Sequence, residues 1–251
     1  MQLTPFKAFK FCFALYVANL WIPLIPYQDY ILKTITKASS HPNHVWVWLL
    51  NNDLGLPLLI TLSLCGFLLL WEKTTRYAAA FLLVNWFFLY QTMPLTYFPP
   101  HAMFVGWILL WFIFYPQDSI TPEQRNGWWL VTTVAYGISG VVKFKADVWL
   151  QGDAMHLLMD SLMIKDHSRF LFNYPLITSF LTYSGLFLEM FGLLIICLPK
   201  GKTIIWYGYL VMHLWIITCF NIPEVGLFFL ILNLALWDDS ISLKRLWPYA
   251  K

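Results

Sequence analysis

The sequence predicts an all-α fold: a polytopic membrane helix bundle of about eight transmembrane helices, with an amphipathic or re-entrant helix after the fifth. Three observations predict it. Hydrophobic residues make up 59% of the 251, charged residues only 12%, and mean hydropathy is +0.63, more apolar surface than one water-soluble core can bury. The apolar residues gather into eight stretches, roughly 6–26, 54–71, 77–93, 101–115, 127–142, 176–198, 203–220 and 223–237. Lysines, arginines and prolines fall between them, where a bilayer would end.

The first stretch follows Lys7 and Lys10 and resembles a signal peptide, but no small-x-small cleavage site precedes Tyr27, so it reads as a retained anchor. Pro94, Pro99 and Pro100 mark a tight turn between the third and fourth stretches. The third, fourth, fifth and eighth are short for a span of about 20 residues. Pro199 to Lys202 forms a short turn between the sixth and seventh, and Pro223 opens the eighth. No repeat, low-complexity linker or soluble domain interrupts the chain, so residues 1–251 read as a single integral membrane domain.

Counting cations on a cytoplasmic start assigns ten of the 16 lysines and arginines to inner connectors and six to outer ones: Lys33, Lys37, Lys143, Lys145, Lys165 and Arg169. Both termini are then cytoplasmic. Four of the six outer cations lie in segment 143–175, an exception that marks it as functional. Within it, Asp153, His156 and Asp160 share one face of a helix predicted over Gly152–Ile164, with Met155, Leu158, Met159, Leu162 and Met163 around the rest. Such a helix would lie at the interface or dip into the bundle.

The small net charge of +3 is spread over short connectors and gives no case for nucleic-acid binding. Cys12, Cys65, Cys197 and Cys219 lie in or beside apolar stretches without CxxC spacing and read as buried apolar side chains. His41 and His44 form one HxxH without the histidine boxes of a di-iron centre, and a solvated polar face accounts for Asp153, His156 and Asp160, so no metal is expected.

The run Val141-Val142-Lys143-Phe144-Lys145 ends an apolar stretch with lysines at the membrane edge. A poorly solvated amine can exist uncharged, so a lysine at that depth is a candidate base. Under the eight-span topology Lys143 gathers at one level with His101, Tyr97, Asn221 and Glu224. Any bundle also places polar residues at its helix interfaces. Glu189 and His213 lie well inside the sixth and seventh stretches, where a charge costs roughly 2.5–3.5 kcal/mol, so they are expected to pair with each other across the bundle. That contact could equally be a structural lock.

These residues resemble a family. Lys143-Phe144 followed by Trp149-Leu150-Gln151-Gly152-Asp153-Ala154-Met155 is similar to the lysine, hydrophobic residue, Trp-x-x-Gly-x-x-Met signature of the vitamin K-dependent gamma-glutamyl carboxylases and their bacterial relatives, the horizontally transferred transmembrane domain family. Pro99-Pro100-His101-Ala102-Met103-Phe104-Val105-Gly106, Ser184-Gly185-Leu186-Phe187-Leu188-Glu189 and Met212-His213 resemble further segments in the same order, so the likeness covers about residues 77–237. The resemblance implies a lysine base that deprotonates a reduced naphthoquinone, a vitamin K hydroquinone-like quinol, for reaction with oxygen and epoxidation, with carbon dioxide as a further substrate where carboxylation follows. It implies Lys143 as that base and His101 as its catalytic partner at the quinone oxygen, with Glu189, His213, Trp149, Gly152, Lys145 and Asn221 supporting the pocket on the outer face.

Two departures qualify what the resemblance implies. One extra residue separates the lysine from the tryptophan, leaving Lys145 as the alternative base. The chain also stops just after the last stretch, without the family's lumenal region, so quinol epoxidation is implied more directly than carboxylation of a protein. From a different class, a non-catalytic membrane carrier or partner-dependent subunit remains the alternative expectation.

Overall fold

A computed structural model describes residues 4–22, 54–92, 102–158, 163–238 and Ile241. Among them the chain is all-helical apart from one isolated antiparallel bridge, Ile164 with Phe220. It divides into two compact units, Met1–Ser119 and Ile120–Lys251.

The first unit holds α1 (Pro5–Trp21), α2 (Gly55–Leu68), α3 (Glu72–Thr92) and α4 (Ala102–Phe114). Thr4 caps α1 by accepting from Lys7 N at 3.3 Å, and Pro5 occupies a first-turn position where no amide proton is missed. Phe6, Phe9, Phe13 and Val17 recur at three and four residues and bury one face of α1, with Phe9 and Phe13 packing on Phe112 of α4. Lys10 lies on that buried side of α1, 3% exposed, not in a solvated connector. Its amine donates to Asp118 Oδ1 at 2.7 Å and Pro116 O at 2.9 Å just beyond α4. Asp118 N in turn donates to Glu72 Oε1 at 2.8 Å, which ties α3 to the same corner.

In the second unit α5 (Pro122–Phe144) opens with a capping box: Gln124 N donates to Thr121 Oγ1 and Thr121 N to Gln124 Oε1. Short helices follow: α6 (Asp147–Leu150), α7 (Ala154–Leu157), a 3-10 turn (Asp166–Ser168) and α8 (Arg169–Phe172). Three long helices close the unit: α9 (Pro175–Ile196), α10 (Gly201–Cys219) and α11 (Pro223–Leu236). At Gly140 of α5 the backbone of α9 comes so close that a Cβ would stand 2.8 Å from Met190 N.

The helix expected over Gly152–Ile164 is corrected. Only Ala154–Leu157 is helical on its described part, and Met159–Leu162 lie outside the described residues, taking Asp160 with them. Beyond them the backbone pairs with the end of α10: Lys165 N donates to Cys219 O at 2.9 Å and Asn221 N to Met163 O at 2.7 Å. Ile164 is thereby seated in a cluster with Phe172, Cys219 and Phe220. Helical spacing in the sequence lost to this long-range pairing.

Among the described residues, each of the eight apolar stretches overlaps one of the longer helices. Only α9, with a mean hydropathy of 1.7 over its best window, is long and apolar enough by itself to cross a membrane among the described residues. Helices α2, α4 and α11, at 14, 13 and 14 residues, rise only about 20 Å.

Gly152 takes φ +83°, and a Cβ there would meet the Tyr183 ring at 2.9 Å, while Tyr183 OH donates to Leu150 O at 2.9 Å. Gly152→Ala should therefore destabilise the fold by about 1–2 kcal/mol or more. Gly127→Ala, inside α5 with open space around the position, should be neutral or stabilising by up to about 1 kcal/mol. Melting of the two variants in detergent checks the opposite signs.

Candidate functional site

The last turn of α5 delivers Lys143 toward α9. Its amine lies 2.5 Å from Glu189 Oε1, in an ion pair whose side chains are 29% and 7% exposed. Trp149 of α6 covers the amine from another side, its ring centroid 4.7 Å from Nζ. The turn at Gly152 and its contact with Tyr183 hold α6 there. Lysine, tryptophan and glycine of the sequence signature are thus brought together, and α9 contributes the acid.

Glu189 and His213 do not pair with each other, which corrects the expectation from sequence. His213 Nε2 lies 2.5 Å from Tyr136 OH, and its ring stacks on Phe229 of α11, centroids 4.6 Å apart at 15°. Tyr136 itself stacks on Tyr209, centroids 4.2 Å apart. A lysine near the end of α5 can reach across to Glu189, and a phenol two turns deeper on the same helix takes the histidine. Each ionisable group thus finds a nearer partner than the one expected. The Lys143 charge is still within Coulombic reach of His213, and the Glu189 charge within reach of Tyr136 and Tyr209.

Lys145 is exposed at the C-cap of α5. The Asn221 side chain makes a long, 3.5 Å contact to Ile164 O, beside the backbone pairing that docks the segment before α8. His156 faces Phe172 O at 3.4 Å. His101, Tyr97, His41 and His44 lie outside the described residues.

Tyr136 and Tyr209 are the residues of this cluster that sequence reasoning missed. Tyr136 has a signal in the pattern. Thr132, Tyr136, Gly140 and Lys143 follow at spacings of four, four and three, one polar or small stripe along α5 that faces inward. Tyr209, four residues before His213, lies on the same face of α10.

The arrangement can hold a proton between an amine and a carboxylate at one end, with neutral hydrogen-bonding groups further in. Neither a protein family, a curated protein nor a solved structure matches this chain.

Breaking a buried pair by removing one charge costs about 3–5 kcal/mol, and less here because Lys143 keeps partial access to solvent. Lys143→Met should lower stability by roughly 1–3 kcal/mol, and adding Glu189→Gln should restore much of the loss. A double-mutant cycle on detergent-purified protein measures it; additive losses would show that the two groups do not interact.

Proposed function

We propose that this chain is a multi-pass membrane protein in which Lys143, held by Glu189 and Trp149, accepts a proton from a lipid-soluble quinol during its reaction with oxygen. The membrane part of the reading is supported by apolar side chains turned outward on the helices of both units. Leu176 is 86% exposed, Phe180 69% and Val211 64%, and Tyr77, Met103 and Phe114 of the first unit are likewise exposed. Water would penalise so much exposed apolar surface, whereas lipid does not. On this reading both termini are cytoplasmic and Lys143 lies toward the outer face.

The observation that carries the chemical part is the Lys143–Glu189 pair. In a dry interior an ion pair has an uncharged alternative, with the proton on the carboxylate and the amine neutral. The neutral amine is the form that can take a phenolic proton, giving an ammonium beside a protonated carboxyl group, with the released phenolate as its counter-charge. Trp149 adds a cation–π contact that strengthens with charge on the amine. By resemblance the quinol is a reduced naphthoquinone and oxygen the co-substrate, with carbon dioxide entering only where carboxylation follows. The same pair would also serve as a helix–helix lock in a non-catalytic membrane subunit, and this is the second reading.

Arginine separates the two. Lys143→Arg keeps the ion pair with Glu189 but cannot give up its proton. It should retain the melting temperature yet lose oxygen-dependent consumption of a reduced naphthoquinone on the order of 100-fold or more, the contribution of a general base. Lys145→Met should keep most of the activity. Consumption undiminished in Lys143→Arg would remove the lysine as base, and folded native protein that consumes no reduced quinone would leave the non-catalytic reading.

A further inference from the structure

The interior of the second unit contains more polar chemistry than the ion pair uses. Tyr209 OH, His213 Nδ1, Glu189 Oε2 and Thr132 Oγ1 are all buried without a hydrogen-bond partner in the chain. Native interiors leave few such groups, because each has given up water for nothing. Here they share one neighbourhood. Tyr136 touches both Tyr209 and His213, and Thr132 stands one turn before it on α5. A Cβ on Gly192, three residues after Glu189, would come within 2.8 Å of Tyr209 OH, so that hydroxyl lies against α9 close to the acid.

The set matches a hydroxyl. If Tyr136 OH donates to His213 Nε2, the neutral imidazole carries its proton on Nδ1. The neighbourhood then offers two donors, His213 Nδ1–H and Tyr209 O–H, and one carboxylate acceptor, Glu189 Oε2. A phenolic hydroxyl has one proton to donate and two lone pairs to accept. Aromatic rings surround these groups, Tyr136 stacked on Tyr209 and His213 on Phe229.

We propose that Tyr209, His213 and Glu189 form an interior binding site for the hydroxyl of a lipid-soluble phenol or hydroquinone, with Tyr136 as the positioning residue that fixes the His213 tautomer. The ligand class rests on the quinol reading above. The site itself rests on the buried groups, and assigns recognition to tyrosines that neither the sequence motif nor the proton-transfer argument includes.

The full chain purified in detergent is titrated with 1-naphthol and with 1-methoxynaphthalene, which has the same rings and no hydroxyl proton. The site predicts about tenfold tighter binding of 1-naphthol. Tyr209→Phe and His213→Gln should each weaken 1-naphthol binding by about three- to tenfold and leave unchanged the binding of naphthalene, which has no oxygen to accept their hydrogen bonds. His167→Gln, on an exposed residue, should alter neither. Nitrogen NMR of His213 should report the Nδ1–H form, turning into a tautomer mixture in Tyr136→Phe, a change that loosened packing alone does not produce. Equal affinity for 1-naphthol and 1-methoxynaphthalene, binding of neither, or unchanged 1-naphthol binding in both folded variants overturns the site. An unchanged tautomer in Tyr136→Phe overturns the role of Tyr136. Selective binding without oxygen-dependent turnover upholds the site while removing the oxidoreductase reading.

Discussion

A charge inside a dry helical interior has to meet an opposite charge, and the second unit is organised around how Lys143 meets Glu189. Helices α5 and α9 must approach closely for the amine to reach the carboxylate, and Gly140 permits that approach by presenting no Cβ to the α9 backbone. The amine then needs cover on its open side. Trp149 supplies it, which fixes α6 over the end of α5 and requires the chain to reverse at once. Gly152 makes the reversal at a positive φ, and Tyr183 of α9 closes it through Leu150 O. One ion pair thus sets the path of the chain from Lys143 to Gly152.

The same constraint governs the first unit with different parts. Lys10 is buried among the phenylalanines of α1 and answers to Asp118 and Pro116 O, and Glu72 holds the Asp118 amide in turn. Here no buried side-chain atom of Lys10, Asp118 or Glu72 is left without a partner, as expected of a lock. The Lys143 pair is not closed in this way, since Glu189 keeps one buried oxygen without a partner. That difference favours a chemical task for one pair and a structural task for the other.

Much of the fold was legible because apolar composition and helix length are tied to the same chain distance. The stretches 54–71, 176–198 and 223–237 correspond to Gly55–Leu68, Pro175–Ile196 and Pro223–Leu236, and a proline opens the last two at the position where it is tolerated best. The segment after α5 was not legible as a whole. Its helical spacing is a local signal, and the pairing of Met163–Lys165 with Cys219–Asn221 is set by residues more than 50 positions away. In the site, the motif identified Lys143, Trp149 and Gly152, and depth in an apolar stretch identified Glu189 and His213. Their partners were not readable, because counting residues from a turn places two groups at one level without saying which way each side chain faces.

Level and facing together explain why Glu189 took the lysine and His213 the tyrosine. Lysine has a long flexible stem, so from the last turn of α5 it can carry charge inward while its backbone stays at the helix end. Histidine is short and must be met where it stands, and the group standing there is Tyr136, seven residues back along the same face of α5. The result is graded. The charged pair retains partial solvent access at the end of the helix, and the neutral phenol–imidazole pair occupies the drier level beneath it. A low-dielectric interior favours that order, because the cost of burying a charge rises steeply with depth while a neutral hydrogen bond grows stronger. Exchanging the partners would have driven a charge to the deeper level, so the separation of the pairs follows from the physics that excludes the contact expected between Glu189 and His213.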